Sequence, residues 1–304
     1  MVIEVDGLVK KYGERTALRD ISYSVERGET FCIIGPNGSG KTSLIECTEG
    51  LREVNYGDIS VLGLDPFRDR RKLYNSIGVQ LQEQVFASEA KVDEICKLYS
   101  SFYERPADYK ELLEEFGLID WLHHHANNLS SGQKKKLSFI LAMLPNPEIV
   151  FLDEITSFLD PGSRKDMVKY MLDLKEKGTT IVYITHHMDE AELISDKICF
   201  LDDGRIRELD SVENIVQKAH LPRIVKFHSM VPQHILDPLV ESEFVDSVSC
   251  RNHHFVIRGE KDNIYQTVKS YLIDNDIKFD TLYTRDPNLE DFYLHSIGYY
   301  EGVY

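Results

Sequence analysis

The chain contains a single tryptophan and only five cysteines in 304 residues. The cysteines, Cys32, Cys47, Cys96, Cys199 and Cys250, are scattered, with no Cys-x-x-Cys pair. That spacing excludes a disulfide framework and a zinc knuckle, and it predicts reduced thiols in a cytosolic chain. Long apolar runs are absent as well. The longest, at residues 149–152 and 181–184, fall far short of the ~18 residues a membrane span needs, so no direct membrane insertion is expected. The first six residues lack a basic stretch followed by an apolar one, which predicts no signal peptide. Basic residues are in deficit: Lys and Arg number 35 against 51 Asp and Glu, a net charge of −16. Residues 221–304 alone carry 8 basic and 13 acidic side chains, so neither end has the surplus expected of a nucleic-acid module or an anionic-lipid binder. Internal repeats and low-complexity tracts are also missing.

What is present is the composition of a soluble globular protein, 42% hydrophobic and 28% charged, at a length that predicts two domains. Up to about residue 215, short apolar strands alternate with helical patterns, the mark of an α/β domain with a largely parallel sheet. Thr30–Ile34, 149–152, Thr180–Ile184 and 197–201 read as strands buried on both faces. Residues 83–147 read as a helical insertion. Its clearest helix is 133–144, with Leu137, Ile140, Leu141 and Leu144 at helical spacing before Pro145 and Pro147. From 221 to 304 the pattern changes to a small α+β domain. It reads as strand 224–228, helix 232–240, strands 244–249 and 254–258, helix 262–275 and strand 280–284, the ferredoxin-like order, with a closing helix at 288–297.

Residues 35–42, Gly35-Pro36-Asn37-Gly38-Ser39-Gly40-Lys41-Thr42, match the phosphate-loop pattern G-x-x-x-x-G-K-[ST], and they lie between an apolar strand and a helical run that continues through Ser43. The glycines let backbone N–H groups ring a polyphosphate, and the following helix adds its positive end. Lys41 is expected on the β and γ phosphates and the Thr42 hydroxyl on Mg²⁺. Residues 149–154 are an apolar strand ending in Asp153 and Glu154. Asp153 is expected to hold Mg²⁺ through water at the carboxyl end of the strand, and Glu154 to act as general base on the attacking water.

Residues 129–133, Leu-Ser-Ser-Gly-Gln, narrow the class. Here the sequence resembles the ATP-binding-cassette (ABC) ATPases, whose signature reads LSGGQ, with Ser131 in place of the family's first glycine. The resemblance covers about residues 1–215. It implies a phosphate-loop cassette binding ATP and Mg²⁺, with Ser130, Ser131, Gly132 and Gln133 closing over the γ-phosphate held by a second cassette. It further implies that Tyr12 stacks on adenine, that Gln82 touches Mg²⁺ and the transport partner (Gln80 and Gln84 share its strand face), and that His186, next to His187, senses the γ-phosphate. Residues 157–160 match the loop that communicates across the dimer, with Phe158 at a usually small position and Ile155 where proline is common. Residues 287–292 resemble a stretch near the end of exporter ATPases. The implied protein is an exporter ATPase subunit, peripheral on the cytoplasmic face, dimeric and docked on a transmembrane permease subunit.

A soluble ABC ATPase acting on ribosomes or DNA is the alternative; the single cassette, the short distance from Lys41 to Leu129 and the acidity all count against it. A kinase or GTPase fails on residues 129–133. His123, His124 and His125 are expected to be a solvated loop, Lys134, Lys135 and Lys136 a solvated helix face, and Tyr299, Tyr300 and Tyr304 packing or a loose end.

Overall fold

A computed structural model describes residues 1–80, 86, 89–259 and 263–298, and the chain divides into two compact units, Met1–Ser211 and Val212–Tyr304. The described strands of the first unit are β1 (Ile3–Tyr12), β2 (Arg15–Val25), β3 (Thr30–Ile34), β4 (Tyr56–Val61), β5 (Ile77–Gln80), β6 (Ile149–Asp153), β7 (Thr180–Ile184), β8 (Lys197–Asp202) and β9 (Arg205–Asp210). Its helices are α1 (Lys41–Thr48), α2 (Arg70–Leu73), α3 (Val92–Ser100), α4 (Tyr109–Glu115), α5 (Ser131–Met143), α6 (Pro161–Glu176) and α7 (Met188–Ile194).

Every residue of β3, β6 and β7 is buried, which is why these strands read as unbroken apolar runs instead of alternating ones. They lie side by side in a six-stranded sheet of order β5-β6-β7-β3-β8-β9, parallel except for the antiparallel edge strand β9. Because β6, β7 and β3 are adjacent and parallel, their carboxyl ends share one edge. Asp153 pairs with Ile184, and Ile184 with Ile33. The loops that follow these three strands carry Glu154, His186 and Gly35, so the topology alone gathers the chemistry.

The antiparallel sheet β2-β1-β4 packs on the parallel one. Ile3, Val5, Leu8, Ile21 and Val25 from the former share a core with Phe31, Ile33, Phe151, Val182 and Leu201 from the latter. Each such buried side chain contributes about 1.5–3 kcal/mol over its exposed state. Helix α1 joins this core through Leu44 and Ile45, and the Tyr23 hydroxyl ties to Thr48 Oγ1 at 2.7 Å, so the helix behind the phosphate loop is anchored by both packing and a hydrogen bond. Among the described residues no helix is long and apolar enough to cross a membrane.

The second unit contains α8 (Val212–Lys218), β10 (Arg223–His228), β11 (Ser247–Arg251), β12 (His254–Gly259), α9 (Ile264–Asp274), β13 (Asp280–Arg285) and α10 (Leu289–Ser296). Its sheet has the order β11-β12-β10-β13 with every neighbouring pair antiparallel, the ferredoxin-like strand order. Helix α9 buries Ile264, Val268 and Leu272 in a core with Val225, Phe227, Phe255 and Ile257.

Two expectations fail here. Residues 232–240 form no α-helix; two 3₁₀ turns, Gln233–Ile235 and Asp237–Glu241, take their place. Pro238 has no N–H to donate and disfavours helical geometry at Asp237, so the segment is cut in its middle. The next strand begins at Ser247 and not at 244, because Val245 N–H turns back to the Ser242 carbonyl at 3.1 Å. Strands β11 and β12 meet through Asn252 and His253, at φ 49° and 66°, the paired positive values of a two-residue hairpin turn.

Candidate functional site

The phosphate loop is shaped by what surrounds it. A Cβ on Gly35 would stand 2.0 Å from the Leu201 carbonyl oxygen of β8, and one on Gly40 would stand 2.7 Å from the Ala17 carbonyl oxygen of β2. Both residues also have left-handed φ, 152° and 110°. These glycines therefore press the loop against two strands, and α1 begins at Lys41 immediately behind it. Lys41 is buried, and its Nζ donates to the carbonyls of Gly35 at 2.9 Å and Pro36 at 3.1 Å. Burial lowers its pKa, while Glu154 and Asp153 work in the opposite direction.

A cleft of ≈ 530 Å³ opens over the loop, a size suited to a nucleotide. Asn37, Gly38, Gly40, Lys41, Thr42 and Ser43 line it from the loop side, Tyr12 and Arg15 from the β1–β2 hairpin, and Glu154 and His186 from the ends of β6 and β7. Tyr12 is 41% exposed, with its hydroxyl 3.3 Å from Ser43 Oγ and the Lys10 ammonium 5.0 Å from its ring. Pro36 and Ser39 complete the loop's backbone; Ser39 is buried, and its N–H donates to the Pro36 carbonyl at 3.2 Å.

Asp153 ends β6 and is buried, and burial followed by the neighbouring Glu154 pushes its carboxyl up to about 6, against Lys135 and Lys41. Glu154 adopts φ 48°, outside the usual range for a side-chain-bearing residue, and its N–H donates to the Ile184 carbonyl at 3.1 Å. The turn aims its carboxylate at the cleft, where Oε1 lies 2.6 Å from His186 Nε2 and Oε2 accepts from Ser157 Oγ at 3.3 Å. Of the two adjacent histidines, His186 faces Glu154, while His187 stands at the N-cap position of α7.

Residues 130–133 are not part of the cleft lining. They open α5 with a capping box. Ser130 Oγ accepts from Gln133 N–H at 3.2 Å and Gln133 Oε1 accepts from Ser130 N–H at 2.8 Å. Ser130 and Ser131 are exposed, whereas Gly132 is buried, and a Cβ there would stand 3.0 Å from Ser163 Oγ. Gln82 lies outside the described residues, as do Gln84, Tyr299, Tyr300 and Tyr304. Gln80 is buried at the end of β5.

The lysine run departs from the expected solvated face. Lys135 Nζ donates to the Glu154 carbonyl at 3.1 Å, and Lys136 pairs with Asp166 at 2.9 Å with its ammonium 5.9 Å from the Tyr170 ring. The run lies on a helix packed against β5 and the loop after β6, so two of its charges have partners to reach. Arg15 carries no expectation from the sequence. Arg15 pairs with Tyr12 across the hairpin and donates from Nη2 to the Gly38 carbonyl at 3.4 Å, so the aromatic at position 12 was itself the signal. His123 and His124 are exposed, and His125 Nδ1 lies 2.8 Å from the Glu89 carbonyl.

These features agree with what the chain resembles. A family model for ABC transporters matches residues 18–157. The glutamine transport ATP-binding protein GlnQ of Escherichia coli (strain K12) is 32% identical over 74% of this chain and 98% of its own length. The linearmycin resistance ATP-binding protein LnrL of Bacillus subtilis (strain 168) is 26% identical over 98% of both chains. Among solved structures, the dimeric bacterial ABC transporter cassette MJ0796 superposes with a TM-score of 0.62 at 25% identity, over 69% of this chain and 98% of that one. The chain belongs to the ABC transporter family, as an ATP-binding and ATP-hydrolysing subunit of a transporter.

Proposed function

We propose that this subunit powers export, working as a head-to-tail pair of cassettes docked on a transmembrane permease subunit at the cytoplasmic face. The observation that carries the ATPase chemistry is the convergence on one cleft of Lys41, Thr42, Glu154 and His186 from three adjacent strand ends. In this reading Tyr12 stacks on adenine, loop N–H groups and Lys41 take the β and γ phosphates, and Glu154 accepts a proton from the water that attacks the γ-phosphorus. His186, 2.6 Å from Glu154, holds that carboxylate and reaches the γ-phosphate.

Mg²⁺ suits the oxygen donors here. Asp153 is a buried carboxylate beside a second one, and its raised pKa reports a site that disfavours bare negative charge; Thr42 adds a hydroxyl at the cleft. Bound there, the ion would neutralise phosphate charge. Ser130, Ser131, Gly132 and Gln133, outside the cleft of their own chain, suit the role of lid over a partner's nucleotide.

Export is favoured by extent of match. The resistance protein LnrL aligns through both units, whereas the glutamine-transport relative aligns over 74% of the chain. The stretch at 287–292 carries less weight. Asp291 is buried, closes the capping box of α10 with Asn288 and receives a two-pronged contact from Arg285 at 2.5 and 2.9 Å, so its presence has a structural cause. Affinity purification from solubilised membranes is expected to recover a membrane-spanning partner, and deletion to sensitise cells to a toxic compound. Co-sedimentation with ribosomes would overturn the transporter docking, and loss of nutrient uptake on deletion would overturn export.

A further inference from the structure

Glu190 lies on α7, outside the cleft, and is buried. Its carboxylate collects groups from three segments. Oε2 accepts from the hydroxyl of Thr156 at 2.7 Å and from that of Thr185 at 3.3 Å, and Oε1 accepts from Arg164 Nε of α6. Arg164 also grips Asp189 with Nη2, at 2.7 and 2.8 Å. Both threonines are buried. Thr156 sits two residues after Glu154, and Thr185 immediately before His186. The Thr185 hydroxyl oxygen accepts in turn from His187 N–H at 3.0 Å, fixing the bend in which His186 sits. One buried carboxylate thus receives one hydroxyl from the loop that carries Glu154 and one from the loop that carries His186.

We propose that Glu190 is a positioning residue for ATP hydrolysis, registering the Glu154 loop against the His186 loop through the hydroxyls of Thr156 and Thr185. The inference rests on the reading of Glu154 and His186 as the hydrolytic pair. A buried carboxylate is costly unless its acceptor sites are filled, so the arrangement tolerates little sliding. Arg164 supplies the countercharge, and the threonines supply direction. The Glu154–His186 separation of 2.6 Å is the quantity this clamp controls. Displacing a reacting group by about 1 Å can cost on the order of 100-fold in rate while leaving ligand contacts elsewhere untouched.

The test uses the full chain, with ATP turnover and ATP affinity measured separately. Thr156→Val and Thr185→Val remove a hydroxyl at nearly constant volume. They are expected to lower kcat about 10–100-fold, with Kd for ATP within about twofold, because Lys41 and its loop are unaffected. Thr156→Ser and Thr185→Ser restore the hydroxyl and are expected to recover most of kcat. In a Glu190→Gln background, Thr156→Val should cost less than it does alone, since the acceptor is already compromised. Parental kcat in both valine variants overturns the clamp, as does failure of serine to rescue. Glu154→Gln and His186→Ala run alongside. If these two hydrolyse at the parental rate, the reading of the hydrolytic pair has failed instead.

Discussion

Asp153 shows how one side chain's surroundings set a measurable property. Its carboxyl is pushed up to about 6 by burial first and Glu154 second. In the unfolded chain an aspartate titrates near about 3.9. Between those values the folded protein holds a proton that the unfolded chain has lost, so this residue makes the nucleotide-free protein less stable as pH rises from about 4 to about 6. Other carboxylates add their own slopes, so the informative quantity is a difference. Urea unfolding of Asp153→Asn and the parent across pH 4–8 should give curves that diverge through this window, the variant gaining relative stability toward pH 8. Parallel curves would mean that Asp153 titrates normally. Lys135 belongs to the same neighbourhood. It donates to the Glu154 carbonyl and opposes the upward shift of Asp153. Lys135→Met is therefore expected to reduce kcat with ATP affinity kept within about twofold, since no nucleotide-lining residue is changed; the expected rate loss is about tenfold, the equivalent of one charge-assisted hydrogen bond. Unchanged turnover would reduce Lys135 to helix packing.

Elements differ in how far the sequence betrays them, and the reason is locality. The phosphate loop was legible because its requirement lies within eight consecutive residues. Strands β3, β6 and β7 were legible because burial on both faces writes a continuous apolar run. The crossover after β10 is less legible, because the apolar spacing of 232–240 resembles a helix that Pro238 interrupts. Lys135 and Lys136 depart from the expected solvated face because their partners, Glu154 and Asp166, are remote in sequence. Glu190 was invisible for the same cause, since its meaning comes from Thr156, 34 residues away. What the sequence cannot express about the phosphate loop is its contact with β8. At Gly35 a methyl group would meet the Leu201 carbonyl oxygen at 2.0 Å, and that contact is with strand backbone, which cannot swing aside as a side chain can. Gly35→Ala should therefore destabilise the protein by about 1–3 kcal/mol and abolish ATP binding, measured by thermal unfolding and by titration with a fluorescent ATP analogue. Gly38→Ala is the control. Its would-be Cβ has only the Arg15 side chain within reach, at 3.7 Å, so it carries strain from φ 81° without a backbone clash and should lose less stability. Equal losses would show that conformation, and not contact with β8, demands the glycine.

For the whole molecule the central tension is between charge and assembly. Within one chain the cleft gathers Tyr12, the phosphate loop, Glu154 and His186, and leaves residues 130–133 outside its lining. In the proposed head-to-tail pair, a second copy supplies those residues to the partner's nucleotide. Each copy carries a net charge of −16, and each bound ATP adds more negative charge. Association therefore proceeds against a repulsive field whose reach shrinks with salt, from about 30 Å at 0.01 M to about 10 Å at 0.1 M. In that proposed pair the attraction is local, between the helix start at Ser130 and the partner's phosphates, and such short contacts are screened far less. Glu154→Gln, which should bind ATP without consuming it, isolates the equilibrium. Light scattering of this variant with Mg²⁺ and ATP is expected to show a dimer. The dimeric fraction should rise as salt increases from about 20 mM to about 200 mM, where the Debye length falls well below the size of the interface. Ser130→Ala should lower that fraction at every salt concentration, while costing the monomer only about 1 kcal/mol through the lost cap. A dimer that weakens with salt over this range would assign its stability to opposite-charge pairs across the interface. Absence of any ATP-dependent dimer would overturn the sandwich itself, leaving residues 130–133 as a capping box and nothing more.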